Sequence, residues 1–310
     1  MISPPTPPTP PPAPAAAPVA GQMTIATQGS RGRRPDFMLD GERLVVKGVV
    51  KPFVAGQSVV VSFSRDGRAV ATKTVAVLPA SNGTGSFRLG YASRRPGVVR
   101  ATATHAASPQ MSAFTAQAAG VRFIAPDMRE GARGPGVWLL QSKLNALHYA
   151  VHLNGVFDES TGQAVIAYRK LTGLARVPST DARVFHLLAR GAGRFRVRYP
   201  RDGAHVEGNL AEQVLAEIEP GGRVRRIYTI SSGKPSTPTV LGRFRVYLKT
   251  PGENSEGMVD SNYFIRGYAI HGYHEVPTYA ASHGCLRVPI PDAPAIYSWV
   301  QVGMPVDVYY

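Results

Sequence analysis

The stretch "AIHGYHEVPTYAASHGCLR", residues 269–287, holds the only cysteine of the chain, Cys285, and three of its eight histidines, His271, His274 and His283. A lone cysteine is most often a small buried hydrophobe. Here the neighbours argue for chemistry. A free thiol, with a pKa of about 8.5, is only slightly ionised at neutral pH, so a nucleophilic cysteine needs an imidazole to accept its proton or pair with its thiolate. That imidazole needs an acceptor to set its tautomer. Acyl transfer also needs backbone N–H donors for the developing oxyanion. Gly284 lets the chain turn sharply and present its amides just before the thiol. His283, two residues before Cys285, shares its face if the chain is extended, or folds toward it in a turn. The stretch can supply a thiol, an imidazole, an acceptor and donors. Whether His271 or His283 takes the proton is open on these grounds.

The 310 residues suggest two or three domains. Hydrophobic residues make up 44%, enough for real cores. One cysteine excludes an internal disulfide framework without fixing the compartment. No His/Cys cluster has zinc-ligand spacing, so no metal site is expected. No apolar run reaches about 18 residues, so no membrane span is expected. The opening residues lack the basic and apolar regions of a signal peptide, and an export signal or anchor is expected to lie outside this chain. The net charge of +15 divides as +9 for residues 1–121, +4 for 122–192 and +2 for 193–310. The basic half suits a polyanion such as an anionic cell-wall polymer, or is a solvated Arg-rich surface. No nucleic-acid motif accompanies it, and no nucleic-acid partner is expected.

The chain reads as multidomain, in four segments. Residues 1–21 are a Pro/Ala-rich linker, extended and semi-rigid. Residues 22–121 read as a β-sandwich of about seven short β-branched strands. Turn signals separate them at Arg65–Arg68, Asn82-Gly83 and Pro96-Gly97. The pattern resembles a bacterial immunoglobulin-like (Ig-like) module, which implies a spacer or adhesive role. Residues 122–192 change period. Val137, Leu140, Leu144 and Leu147 recur at helical spacing, as do Ala164, Ile166, Ala167 and Leu171. Ser160 is the expected N-cap of the second helix, Gly173 its stop, and "DARVFHLLARG" (181–191) a third helix. Residues 193–310 return to β, with strands expected in "GRFRVRYP" (193–200), "QVLAEIEPGGRVRRIYTISSG" (213–233), "GRFRVYLKT" (242–250), "YFIRGYAIHGY" (263–273) and "MPVDVYY" (304–310). One helix is expected, in "PDAPAIYSWVQV" (291–302).

Residues 131–174, "GARGPGVWLLQSKLNALHYAVHLNGVFDESTGQAVIAYRKLTGL", resemble the small three-helix peptidoglycan-binding domain, through the Leu140-Gln141 pair and the "NGVFDESTGQAV" turn into a helix. The chain departs from that family at Ala167–Lys170, where an aromatic followed by glutamine is more usual. Residues 269–287 and the upstream "SSGKPSTPTVLGRFRV" (231–246) resemble the two signatures of the L,D-transpeptidase (YkuD-type) catalytic domain, a mainly-β fold. The resemblance covers nearly all of 195–310; Val240 stands where a proline is frequent. It implies Cys285 as nucleophile, His271 as general base oriented by the Gly272 carbonyl, and the Gly284 and Cys285 amides as the oxyanion hole. It implies a supporting role for His283. Arg287 is a candidate for a substrate carboxylate and Tyr263 for a substrate hydrogen bond. Ser282 stands with these substrate-side candidates although its own chemistry reads as structural. The implied reaction forms 3→3 peptidoglycan cross-links between stem peptides, through a thioester acyl-enzyme with release of D-Ala. It implies no cofactor, acylation by carbapenems, and an extracytoplasmic location at the cell wall or periplasm. An L,D-carboxypeptidase using the same residues and a non-catalytic wall-binding protein are the alternatives.

Overall fold

The computed structural model describes residues 17–29 and 37–310. Most of the expected linker over 1–21 therefore lies outside the described residues. The chain divides into two compact units, Met1–Ala125 and Pro126–Tyr310.

The first unit is all β. Its strands are β1 (Gln22–Gln28), β2 (Phe37–Leu39), β3 (Arg43–Lys51), β4 (Ser58–Arg65), β5 (Arg68–Ala76), β6 (Leu78–Pro79), β7 (Gly85–Ala92), β8 (Gly97–His105), β9 (Phe114–Gln117) and β10 (Val121–Ile124). One sheet runs β1-β3-β7-β6; the other runs β2-β10-β8-β4-β5, with β9 paired to β8. Val59, Val61 and Phe63 alternate inward on β4, as their period-2 spacing predicts. They join Leu44, Val46 and Phe87 from the opposite sheet in one apolar core. The Arg65–Arg68 turn is a two-residue hairpin, with Asp66 and Gly67 both at positive φ.

The second unit begins with three helices, α1 (Pro135–Ala146), α2 (Glu159–Leu171) and α3 (Ala182–Leu188). The expected N-cap Ser160 lies inside α2. Asp158 caps it instead, its carboxylate accepting from the Thr161 amide at 2.9 Å. An ionised acceptor is the better partner for the positive end of a helix. Gly173, at φ +65, follows the C-cap as expected. Gln141 is buried and explains the turn that follows: its Oε1 accepts from Asn154 N and Gly155 N, and its Nε2 reaches Val156 O and Thr161 Oγ1.

The remaining elements are β11 (His205–Asn209), β12 (Val214–Glu219), β13 (Arg223–Thr229), β14 (Gly242–Arg245), β15 (Leu248–Glu253), β16 (Val259–Ile265), β17 (Tyr268–Tyr273), β18 (Leu286–Pro289), α4 (Ala293–Trp299) and β19 (Pro305–Tyr309). A five-stranded sheet runs β13-β12-β11-β19-β14 and a four-stranded sheet β15-β16-β17-β18. Val206, Leu215, Val306 and Val308 from the first pack with Ile270, Leu286 and Val288 from the second and with Ile296 of α4. Residues 193–200 are not a strand. The fully buried Glu207 carboxylate takes the Arg198 and Tyr199 amides at 2.8–3.0 Å, so these donors go to a side chain and not to a neighbouring strand.

The helices are continuous with the sheets behind them. His148 and Ala150 exchange backbone hydrogen bonds with Ile227 at the edge of β13. Lys170 of α2 is 1% exposed, and its Nζ donates to Gln213 O, Thr229 Oγ1 and Ile230 O at 2.7–2.8 Å. Burial, with the Arg176 charge adding to it, lowers Lys170 to about 7.

Candidate active site

β17 and β18 run parallel, pairing Ile270 with Leu286 and His271 with Arg287. Two neighbours at one register position share a sheet face. Cys285 lies one residue before β18, in the turn that feeds it. Continuing the register sets Cys285 beside Ala269, whose backbone N–H meets the thiol, two residues before His271.

The turn is held by Ser282. Its hydroxyl donates to Cys285 O at 2.7 Å and accepts from Gly284 N at 3.0 Å. Ser282 is fully buried, and both hydrogen bonds of its hydroxyl are spent on the turn. The same hydrogen bond occupies the Gly284 amide, one of the two expected oxyanion donors. Gly284 sits at φ +122, and a Cβ there would fall 1.8 Å from the Tyr268 ring. Glycine is demanded twice, by conformation and by space.

Gly284 also separates His283 from Cys285. Its positive φ departs from strand geometry between His283 and Cys285. His283 is exposed, with Nε2 3.3 Å from Lys234 Nζ. His271 is 2% exposed, and its Nδ1 lies 2.9 Å from Gly272 O, the partner expected for it. In that arrangement Nδ1 donates to the carbonyl and Nε2 carries the lone pair. Burial holds His271 down at about 4, with the Arg287 charge lowering it and the Gly272 bond opposing. The ring is therefore neutral at physiological pH and able to accept a proton. Burial also pushes the half-buried Cys285 thiol up, against an Ala269 N–H and the Arg287 charge. Its sulfur lies 3.7 Å from Gly267 O. The resting pair is thus a thiol and a neutral imidazole, not a preformed ion pair.

Arg287 is 9% exposed, with its Cζ over the Tyr273 ring at 4.0 Å from the centroid. Among the described residues no carboxylate reaches it. Tyr273 also meets the His271 ring edge-on at 5.7 Å. Tyr263, half-buried on β16, pairs with Ala269, and Asn254 Nδ2 donates to its hydroxyl at 3.4 Å. His274 is exposed and leans on Tyr273.

The 231–239 segment docks on the turn. Lys234 N and Thr237 Oγ1 donate to Ser282 O, and Ala281 N and Ser282 N both donate to Ser232 O. Ser231 exchanges both backbone bonds with Arg287, and its hydroxyl donates to Tyr279 O. The two sequence signatures are thus neighbours in space. Tyr268, Tyr273 and Lys234 were not singled out from sequence. Tyr273 carried one usable signal, its two-residue spacing from His271.

This constellation lies within residues 203–308, which match the L,D-transpeptidase catalytic domain (YkuD). The crystal structure of the L,D-transpeptidase of Xylanimonas cellulosilytica DSM 15894 is similar at 33% identity, with a TM-score of 0.56, over 60% of this chain and 98% of that one. The chain belongs to the L,D-transpeptidase family. An L,D-transpeptidase of Stackebrandtia nassauensis is also similar, at 19% identity and a TM-score of 0.38, over 60% of this chain and 98% of that one. The comparison with curated proteins returned no match.

Proposed function

We propose that the chain forms 3→3 peptidoglycan cross-links by two acyl transfers at Cys285. The observation that carries this reading is the neutral, buried His271, its Nδ1 on Gly272 O, on the strand that pairs with the one Cys285 leads into. In the first step Nε2 takes the thiol proton as Sγ bonds to the carbonyl carbon of the third stem residue. The amide C–N bond breaks, the proton passes from His271 to the leaving nitrogen, and D-Ala departs. In the second step the side-chain amine of another stem attacks the thioester carbon. The C–S bond breaks, and the amine proton returns through His271 to Sγ. The Cys285 amide is the oxyanion donor; the Gly284 amide joins it if Ser282 releases it. Arg287, buried and, among the described residues, without a carboxylate partner, is suited to a stem carboxylate. His283, exposed, takes its supporting role through Lys234.

The helical segment is proposed to engage wall polymer, and the first unit to act as an Ig-like spacer. Both readings, and the location outside the cytoplasm, follow the substrate. The test is purified protein with tetrapeptide muropeptides. Release of D-Ala with dimer formation is expected, and Cys285→Ala abolishes both. D-Ala without dimers would replace transpeptidation by L,D-carboxypeptidase activity. Retention of activity in Cys285→Ala would overturn the nucleophile. Failure of the Cys285→Ala chain to cosediment with purified wall would overturn the wall-binding reading.

A further inference from the structure

Two cations of the helical segment point away from it and into the catalytic part. Lys170 Nζ makes three hydrogen bonds, to Gln213 O, Thr229 Oγ1 and Ile230 O. None of the three acceptors is charged. A buried ammonium without a carboxylate is costly. If α2 needed only to cover the sheet, an apolar side chain of the same length would serve at lower cost. The cation is therefore there for its three donors.

The acceptors lead to the nucleophile. Gln213 holds a positive φ of 57° and grips Ser232 twice: Ser232 N donates to its Oε1 at 2.9 Å, and its Nε2 donates to Ser232 Oγ at 2.6 Å. Ser232 O receives Ala281 N and Ser282 N at 2.8 and 2.9 Å. Ser282 Oγ then closes the turn on Cys285 O. Ile230, the third acceptor, directly precedes Ser231, whose backbone pairs with Arg287. Arg176, past the end of α2, makes a second connection. Its Nη1 donates to Thr278 O at 2.7 Å, inside the loop joining His271 to Cys285, and its Nη2 reaches Ala211 O at 3.4 Å.

We propose that Lys170 and Arg176 are positioning residues: the helical segment braces the Cys285 turn and its covering loop, and so forms part of the acyl-transfer apparatus. This rests on Cys285 being the nucleophile. Neither residue touches the reacting atoms. They act by holding the backbone that aims the thiol and its oxyanion donor, where small displacements cost large factors in rate.

The test uses the full chain at mildly acidic pH, where Lys170 is charged. The limiting rate and half-saturating concentration of carbapenem acylation are measured by intact mass, beside iodoacetamide alkylation of Cys285 and thermal melting. Lys170→Met and Arg176→Ala are each expected to lower the limiting acylation rate about tenfold or more. Alkylation, which needs a reachable thiol but no oxyanion geometry, should stay within about twofold. Arg176→Lys should recover much of the loss, because an ammonium can still donate to Thr278 O. If Lys170→Met does not fold, the Arg176 pair decides alone. Folded variants acylated at the wild-type rate would overturn the brace and leave the nucleophile standing. No adduct on the wild type would overturn the nucleophile reading, and the brace with it.

Discussion

The two units bury different things. Among the described residues the first buries four polar side chains, Thr27, Gln57, Ser93 and His105, around a core of Val, Leu, Phe and Ala. The second buries nineteen, including Arg169, Lys170, Glu207, Glu217, His271, Arg287 and Asp307. Buried polar groups are costly unless satisfied, and satisfied networks hold a structure to one arrangement. The first unit is stabilised by apolar burial that many sequences could supply. The second accepts desolvation costs to hold particular backbone atoms in place. The chemistry lies where those costs are concentrated.

The sharpest way to break that contrast is at the thiol. Cys285→Ala should remove all carbapenem adduct, and His271→Ala should lower acylation by about 10²–10⁴; near-normal rates by intact mass would dissolve the site. Next comes Gly284→Ala, which meets both the Tyr268 ring and φ +122. Acylation should fall about a hundredfold. Adding Tyr268→Ala should recover only part, since the backbone strain remains. In the first unit the largest effect should be on stability alone. Phe63→Ala empties a fully buried site stacked on Tyr91 and should cost about 3–5 kcal/mol. Calorimetry should show that loss while the acylation rate is unchanged.

Two smaller tests use pH. The base form of His271 persists until pH falls through its lowered pKa. The acid limb of acylation should therefore lie near 4 and not near the 6.5 of a free imidazole. Asp292 is raised to about 7 by burial and by the Glu159 and Glu217 charges. Its folded pKa exceeds its unfolded one, so the folded state pays to ionise it, fully above 7 and progressively less as pH falls toward 3.8. Asp292→Asn should raise the melting temperature by a few degrees at about pH 8 and by little at about pH 5. An equal gain at both would reject the assignment.

Local pattern carried much of this into the sequence. The Val59–Phe63 alternation, the Asp66-Gly67 turn, the Gly173 stop and the Cys285 signature all rest on interactions between near neighbours or on the special geometry of glycine. What could not be read depended on partners far along the chain. Residues 193–200 have strand composition, but Glu207 takes the Arg198 and Tyr199 amides from pairing. His283 has the right spacing from Cys285, but its ring lies beside Lys234, 49 residues earlier. The α2 segment has a helical period, but nothing within it announces that Lys170 reaches three acceptors 43 to 60 residues away.

The thiol and neutral imidazole at the site bear on endurance under oxidation. Oxidants and disulfides react with thiolates far faster than with thiols, and overoxidised cysteine is irreversibly lost. A chain with one cysteine has no second thiol of its own to resolve a sulfenic acid. On the role proposed for Cys285, burial holds the proton on sulfur at neutral pH and so spares the thiol between turnovers. Peroxide should therefore inactivate the protein more slowly than it does enzymes whose cysteine rests as a thiolate.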